Sequence, residues 1–463
     1  VALAMGLWGG LVACVTETKP LGTHDAKKTS LDARREMIRR WRVQKDPAQT
    51  LNLLALLWSD REPRPLRFAA LDALAIHAPE ALWSSATRYF VGVDDPEIVA
   101  AVCRRAASDH RVDTVETLIR RWARPLGHPA FGPGSTVRPE AQSVDHLTNV
   151  NRKTSLTNVL QQTHSDETAA AAWSLLQTVV PGFDAKQWAK RSGSAPASAA
   201  GRALVNAANM FATLPFGADQ VRGLTAWTLA NPEGWQRVRE IKDATGASLA
   251  LRHLPALSRD RLAPAVFRDS KSWRLTLRRR LHAGDHVPRR VEGETRAKDS
   301  QAGLQVNLEG LLKADLFLLD AVLAALDEPP VIAAFFDQAD ADQRDLRSEH
   351  GGGLLWPSGH PERPPVAVPF SPARSAGDHT YVTSDDLLAA LYRRGLAHYH
   401  FHAQRHDHAD YAGPGEDDLR FVQHCGLLCL TLTFIDADHL NVDVSLPDGG
   451  VLDVGCIKRL QAP

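Results

Sequence analysis

The sequence predicts a multidomain chain in which an all-α N-terminal region leads into a C-terminal α+β domain. Three observations carry this expectation. At 463 residues the chain exceeds one ordinary core. Apolar residues recur at helical spacing from Leu31 to about Pro125 and again from Asp166 onward. After about residue 305 the texture changes to short apolar runs bounded by turn residues. Hydrophobic content of 44% and charged content of 23% fit a globular protein. Lys+Arg and Asp+Glu stand at 54 each, so the net charge is zero and a general nucleic-acid binder is not expected. The cysteines Cys14, Cys103, Cys425, Cys429 and Cys456 are scattered without a CxxC pair. That argues against a disulfide framework and against a four-cysteine zinc site.

Taken in order, the chain starts with an uncharged run, Val1 to Ala13, closed by Leu11-Val-Ala-Cys14. A short apolar run before small residues reads as a secretory signal segment (1–13) followed by a polar linker (14–30). Its ending resembles a bacterial lipobox. That resemblance implies cleavage before Cys14, lipid on its sulfur, and an exported protein anchored to a bacterial membrane, periplasmic or at the cell envelope. Helices follow at Arg34–Trp41, Gln49–Trp58, Leu66–Ala75 and Asp94–Ala107, the second apolar enough to be largely buried. The Asp60 and Asp94 segments share a plan of Asp, Pro and an Ala-rich amphipathic helix. Over 31–125 this resembles HEAT-type helical repeats, which implies a curved surface for a protein partner. Pro125, Pro129, Gly132-Pro-Gly134 and Pro139, then Asn, Thr and Ser, predict a linker over 126–165. A second helical region is expected over 166–300, with Trp227 and Trp235 as packing anchors. Its basic cluster (Arg278–Arg280, Arg289, Arg290, Arg296, Lys298) is expected as a solvated loop.

The C-terminal domain is placed at 305–463. An amphipathic helix, Asn307 to Leu326, opens it. Strands are expected at Val331–Phe336, Gly353–Trp356, Pro365–Phe370, Ala397–His402, Leu427–Thr433 and Val442–Leu446. A helix over Asp385–Arg394 has Thr383 and Ser384 as candidate N-caps. Pro447-Asp-Gly-Gly450 reads as a hairpin turn.

The chemistry concentrates in Leu396-Ala-His-Tyr-His-Phe-His-Ala403. On a strand His398, His400 and His402 share a face, because side chains alternate with period two. Imidazoles plus a carboxylate from the next element make a three-ligand zinc site. Upstream stands Ser348-Glu349-His-Gly-Gly-Gly-Leu-Leu355, and downstream Pro414-Gly415-Glu-Asp-Asp418-Leu419. In this order the three elements resemble the JAB/MPN (JAMM) family of zinc-dependent peptidases and isopeptidases, over roughly the last third of the chain. The resemblance implies a mixed sheet flanked by helices and zinc held by His400, His402 and Asp418, with Asp417 as the rival third ligand. It further implies Glu349 as general base for amide hydrolysis by zinc-activated water, and a peptide or protein substrate. The family's serine, which stabilises the transition state, falls on Gly415 here. A catalytically degenerate scaffold that binds partners is the alternative. His406 and His408 sit in a loop longer than the family's usual spacing, where folding back would make them extra ligands or substrate contacts. His398 is expected to pack or to support the ligands from behind, and Cys425 and Cys429 to pack in the core.

Overall fold

The computed structural model describes residues 30–41, 43, 47–124, 138–192, 195–246, 249–257, 270–286, 308–358, 363–377, 380–407, 409 and 412–461. The chain divides into two compact units. One runs to Val159 and includes Thr178–Pro181; the other comprises Leu160–Gln177 and everything from Gly182 onward. The helices expected in 166–300 and the sheet expected in 305–463 therefore share one unit. Cys14 and the segment before it lie outside the described residues. No helix among the described residues is long and apolar enough to cross a membrane.

The first unit is helical: α1 (Leu31–Trp41), α2 (Pro47–Trp58), α3 (Arg64–His77), α4 (Pro79–Tyr89), α5 (Pro96–Ser108), α6 (Val115–Ala123), α7 (Pro139–Thr148) and the start of α8 (Arg152–Gln162). Helix starts follow the sequence signals. Pro96 occupies the first turn of α5, and the Asp95 carboxylate accepts from the Glu97 and Ile98 N–H groups. Two expectations are corrected here. Helix α2 buries only Leu53 and Leu57, and Leu51 is exposed. The linker expected over 126–165 carries α7 and α8 instead. Pro139 sits in the first turn of α7, Asn149 closes α7 in a left-handed conformation, and the Asn151 carboxamide caps α8 by accepting from Thr154 N–H. Residues read as loop-formers are helix caps at this place.

The second unit begins with α9 (Asp166–Val179), whose end returns to the first unit, then α10 (Ala185–Arg191), α11 (Ala199–Met210), α12 (Gly217–Ala230), α13 (Gly234–Thr245), α14 (Leu254–Leu257), α15 (Ser270–His282), α16 (Lys313–Leu326) and α17 (Pro329–Arg344). Trp227 and Trp235 are buried and meet edge to face, as expected of packing anchors. Arg278–Arg280 are helical, not looped; Arg278 pairs with Glu309, and Arg280 with Asp327. The rest of the basic cluster, from Arg289 to Lys298, lies outside the described residues, as does Asn307. Val331–Phe336 is not a strand but the front of α17. Pro329 and Pro330 start that helix, and Val331, Phe335, Phe336 and Ala339 fall on its buried side at helical spacing.

The sheet has six strands in the order β2-β1-β3-β4-β5-β6. They are β1 (Gly351–Leu355), β2 (Val366–Pro369), β3 (Gly395–His402), β4 (Cys429–Asp436), β5 (His439–Ser445) and β6 (Val451–Lys458). Helix α18 (Asp385–Arg394) precedes β3, with Ser384 as its N-cap, and α19 (Glu416–Cys425) connects β3 to β4. The β3–β4 pair is parallel and every other pair antiparallel, so the sheet is mixed. Strand β6 had no counterpart in the sequence reading; it completes the hairpin turned by Pro447–Gly450.

The two faces of the sheet differ in chemistry. Tyr399 and Phe401 of β3 pack edge to face on Phe335 of α17, and Phe434 of β4 lies against Phe336. The opposite face carries His398, His400 and His402. Pairing then extends it across Cys429, Thr431 and Thr433 to Ser445, Asp443 and Asn441. Every one of these except His402 is buried. Glycines let β1 lie flush against its neighbours: a Cβ on Gly352 would stand 2.1 Å from the Val368 carbonyl oxygen.

Candidate metal centre

Strand β3 is central in the sheet, hydrogen-bonded on both edges, which fixes its register and so the face its side chains take. His400 pairs with Gly351 of β1 on one side and Thr431 of β4 on the other. Glu349 stands two residues before Gly351, at the entrance to β1, and is 3% exposed. Asp418 lies in the first turn of α19. There its Oδ2 accepts a 2.7 Å hydrogen bond from Gly415 N–H, the backbone group that opens the helix.

These elements bring the four expected residues together. His400 Nε2 is 3.3 Å from Asp418 Oδ1, and His402 Nε2 is 3.6 Å from Asp418 Oδ2. His402 Nε2 is also 3.8 Å from Glu349 Oε1. Donor atoms of Glu349, His400 and His402 all fall within 4.8 Å of one another. The His400–Asp418 approach is close without being a hydrogen bond, and His400 Nε2 is a buried nitrogen with no hydrogen-bond partner. A buried polar atom left in this state is costly unless another group meets it. The described residues thus include buried histidine, cysteine and glutamate groups able to hold a metal ion.

Two carboxylates compete for the third place beside the histidines. Asp418 approaches both imidazoles through its two oxygens, whereas the Glu349 approach of 3.8 Å is to His402 alone. Asp418 is thus the carboxylate nearer both imidazoles, and Glu349 the more deeply buried of the two. Asp417, the rival carboxylate, is not brought to the histidines: its side chain is 91% exposed and paired with Arg420 at 3.0 Å.

The electrostatics follow from burial and crowding. Burial works against the charge of Asp418, but the adjacent His400 and His402 more than offset it and hold its carboxyl well below the usual range. Burial pushes His398 well below the ordinary imidazole value, and His400 acts in the same direction. Asp342, near the C-terminal end of α17, is raised to about 8. Burial is the main cause, the His350 N–H opposes it and the Glu349 charge adds to it.

Other expectations resolve differently. Gly415 N–H is engaged by Asp418, so that donor is not directed at a substrate. His406 does not turn back over the His400–His402 cluster; its ring packs edge to face on Phe434, on the opposite side of the sheet. His408 lies outside the described residues. His398 meets the rings of Tyr381 and Phe421, in keeping with packing beside the site. Cys425 packs in the core at the end of α19. Cys429 is buried in the core as expected, and in addition its Sγ lies 3.1 Å from His398 Nδ1 and 3.6 Å from His400 Nδ1. Its signal was present in the alternation of β4, but only the parallel pairing with β3 turns that alternation into a contact.

Comparison with family models, curated proteins and solved structures finds no match to this chain.

Proposed function

We propose that the second unit is a zinc-dependent amidase of JAB/MPN type that cleaves a peptide or isopeptide bond in a protein or peptide substrate. One observation carries the reading: the 3.3 and 3.6 Å spacings from the Asp418 oxygens to His400 Nε2 and His402 Nε2. Zinc bonds of about 2.0–2.1 Å at tetrahedral angles put neighbouring donors about 3.3–3.4 Å apart. His400, His402 and Asp418 would hold the ion, leaving a fourth position open. Bound zinc supplies a Lewis acid and lowers the pKa of its water to about 7. Glu349, buried beside His402, takes a proton from the attacking water at Oε1 and delivers it to the departing nitrogen. Asp418 keeps its charge despite burial and orients both imidazoles.

The α-helical first unit is proposed as a HEAT-like partner surface. In its favour, Arg64 to Glu97, Arg120 to Thr87 and Arg124 to Val91 each bridge residues 33 positions apart, as stacked helical repeats do. Export and lipid attachment at Cys14 rest on the sequence before it.

A second reading, a metal-holding scaffold without catalysis, is favoured by one observation: Gly415 brings no hydroxyl, and its N–H is taken by Asp418. Zinc content and amide hydrolysis separate the two. Purified protein is expected to carry zinc that His400→Ala and His402→Ala each remove. Glu349→Gln is expected to keep zinc and to lose about 10²- to 10⁴-fold in cleavage of a quenched-fluorescence peptide library. Equal cleavage by Glu349→Gln and wild type sinks the peptidase reading, and zinc-free wild-type protein sinks both.

A further inference from the structure

We propose that His398, His400 and Cys429 form a second metal site, set behind the first and sharing the His400 ring with it. The proposal rests on the reading of His400 as a ligand only through that shared ring.

The site is built by the β3–β4 pair. Parallel pairing sets Cys429 beside His398, and the alternation of both strands turns His398, His400 and Cys429 to one face. Cys429 Sγ is 3.1 Å from His398 Nδ1 and 3.6 Å from His400 Nδ1, and one donor atom from each of the three lies within 4.8 Å of the others. An ion bonded to thiolate sulfur at about 2.3 Å and to imidazole nitrogen at about 2.0–2.1 Å sets these donors about 3.5 Å apart. The two nitrogens of His400 face different neighbours. Nδ1 approaches Cys429, and Nε2 approaches Asp418. A ring placed this way bridges two ions as an imidazolate.

All three residues are at most 3% exposed, and the rings of Tyr381 and Phe421 flank His398 at 5.4 and 4.9 Å. An ion held there does not exchange with substrate. It locks His400 in orientation and withdraws electron density from it. A thiolate with two imidazoles selects a borderline or soft ion, zinc or copper in kind, over magnesium or calcium. The charge balance is explicit: a divalent ion displaces the Cys429 thiol proton and the remaining His400 ring proton, and both leave to solvent. Hydrogen bonding alone also accounts for the two sulfur contacts, through one S–H and one N–H, but it produces no metal–thiolate absorption.

Cobalt(II) is therefore the probe, titrated into reduced, metal-stripped full-length protein. Wild type is expected to take two ions per chain and to develop a thiolate-to-cobalt band in the near ultraviolet. Cys429→Ser is expected to lose the band and one ion. His398→Phe, an aromatic substitution in an aromatic pocket, is expected to lose the band even if the serine variant folds poorly. Asp418→Asn is expected to retain the band, because its ligand belongs to the outer site alone. A wild type that binds one ion with no sulfur band overturns the second site and leaves the first standing. So does a band that survives Cys429→Ser. A wild type that binds no cobalt overturns both.

Discussion

On the proposed peptidase reading, Gly415 leaves the substrate side of the site short of one donor. Its φ of −74° suits any residue, and an added Cβ would lie 3.4 Å from Asp418 Oδ2, so a serine fits without moving the backbone. Serine is also the better residue at a helix N-cap, by a few tenths of a kcal/mol. Because one oxyanion donor is worth about 10²–10³ in rate, Gly415→Ser is expected to raise kcat by up to about 10²-fold with zinc content unchanged. An unaltered kcat at full zinc occupancy would remove the hydroxyl from the account. Asp342 makes a second prediction at this scale. Its folded value of about 8 exceeds the unfolded carboxyl value of about 3.9, so the folded chain holds a proton that the unfolded chain releases. Its contribution to stability is complete below about pH 4 and is lost as pH rises through about 8. In metal-stripped protein, Asp342→Asn is expected to flatten the fall in melting temperature between pH 5 and pH 8. An unchanged slope would exclude Asp342 as its source.

At the scale of elements, helix α16 is tied to the segment before α14 through one carboxylate. Asp315 accepts from Arg252 Nε and Nη2 at 2.5 and 2.8 Å and lies 2.8 Å from His253 Nε2, with all three residues buried. Asp315→Ala leaves a buried guanidinium without its counter-charge. A loss of about 3–5 kcal/mol is expected in denaturant unfolding; a loss below about 1 kcal/mol would mean that water replaces the carboxylate. What was legible in the sequence divides along the same lines. Helix α18 ran over the expected residues because Ser384 caps it and Gly395 follows it. Strand β3 was legible because His398, His400 and His402 alternate with Ala397, Tyr399 and Phe401. Asp418 was separable from Asp417 only in three dimensions, where the first turn of α19 points one carboxylate inward and the other into solvent. The aromatic run of α17 misled because Val331 to Phe336 suits a strand locally, and only the helical layer over β3 and β4 decides its state. Cys429 was hidden for a related reason: strand pairing is a non-local fact, and no spacing along the chain announces it.

On the scale of the whole molecule, every residue of the proposed metal centre and its proposed base falls in the second unit, from Glu349 to Cys429. Zinc binding stabilises whatever unit binds it, by mass action. Calorimetry of the full chain is expected to show an unfolding transition that a chelator lowers, and another, belonging to the helical first unit, that it leaves in place. A chelator that lowers both equally would mean that the chain unfolds as one cooperative block. The parallel step from β3 to β4 has a consequence of its own. His402 ends one arm of that crossover and Asp418 begins the other, so an ion bound to both would act as a clasp across the intervening loop. Closing a loop costs entropy that grows slowly with its length, and a cross-link removes that cost from the unfolded chain. Metal and crossover would then form a single topological ring, which stripping the ion would open.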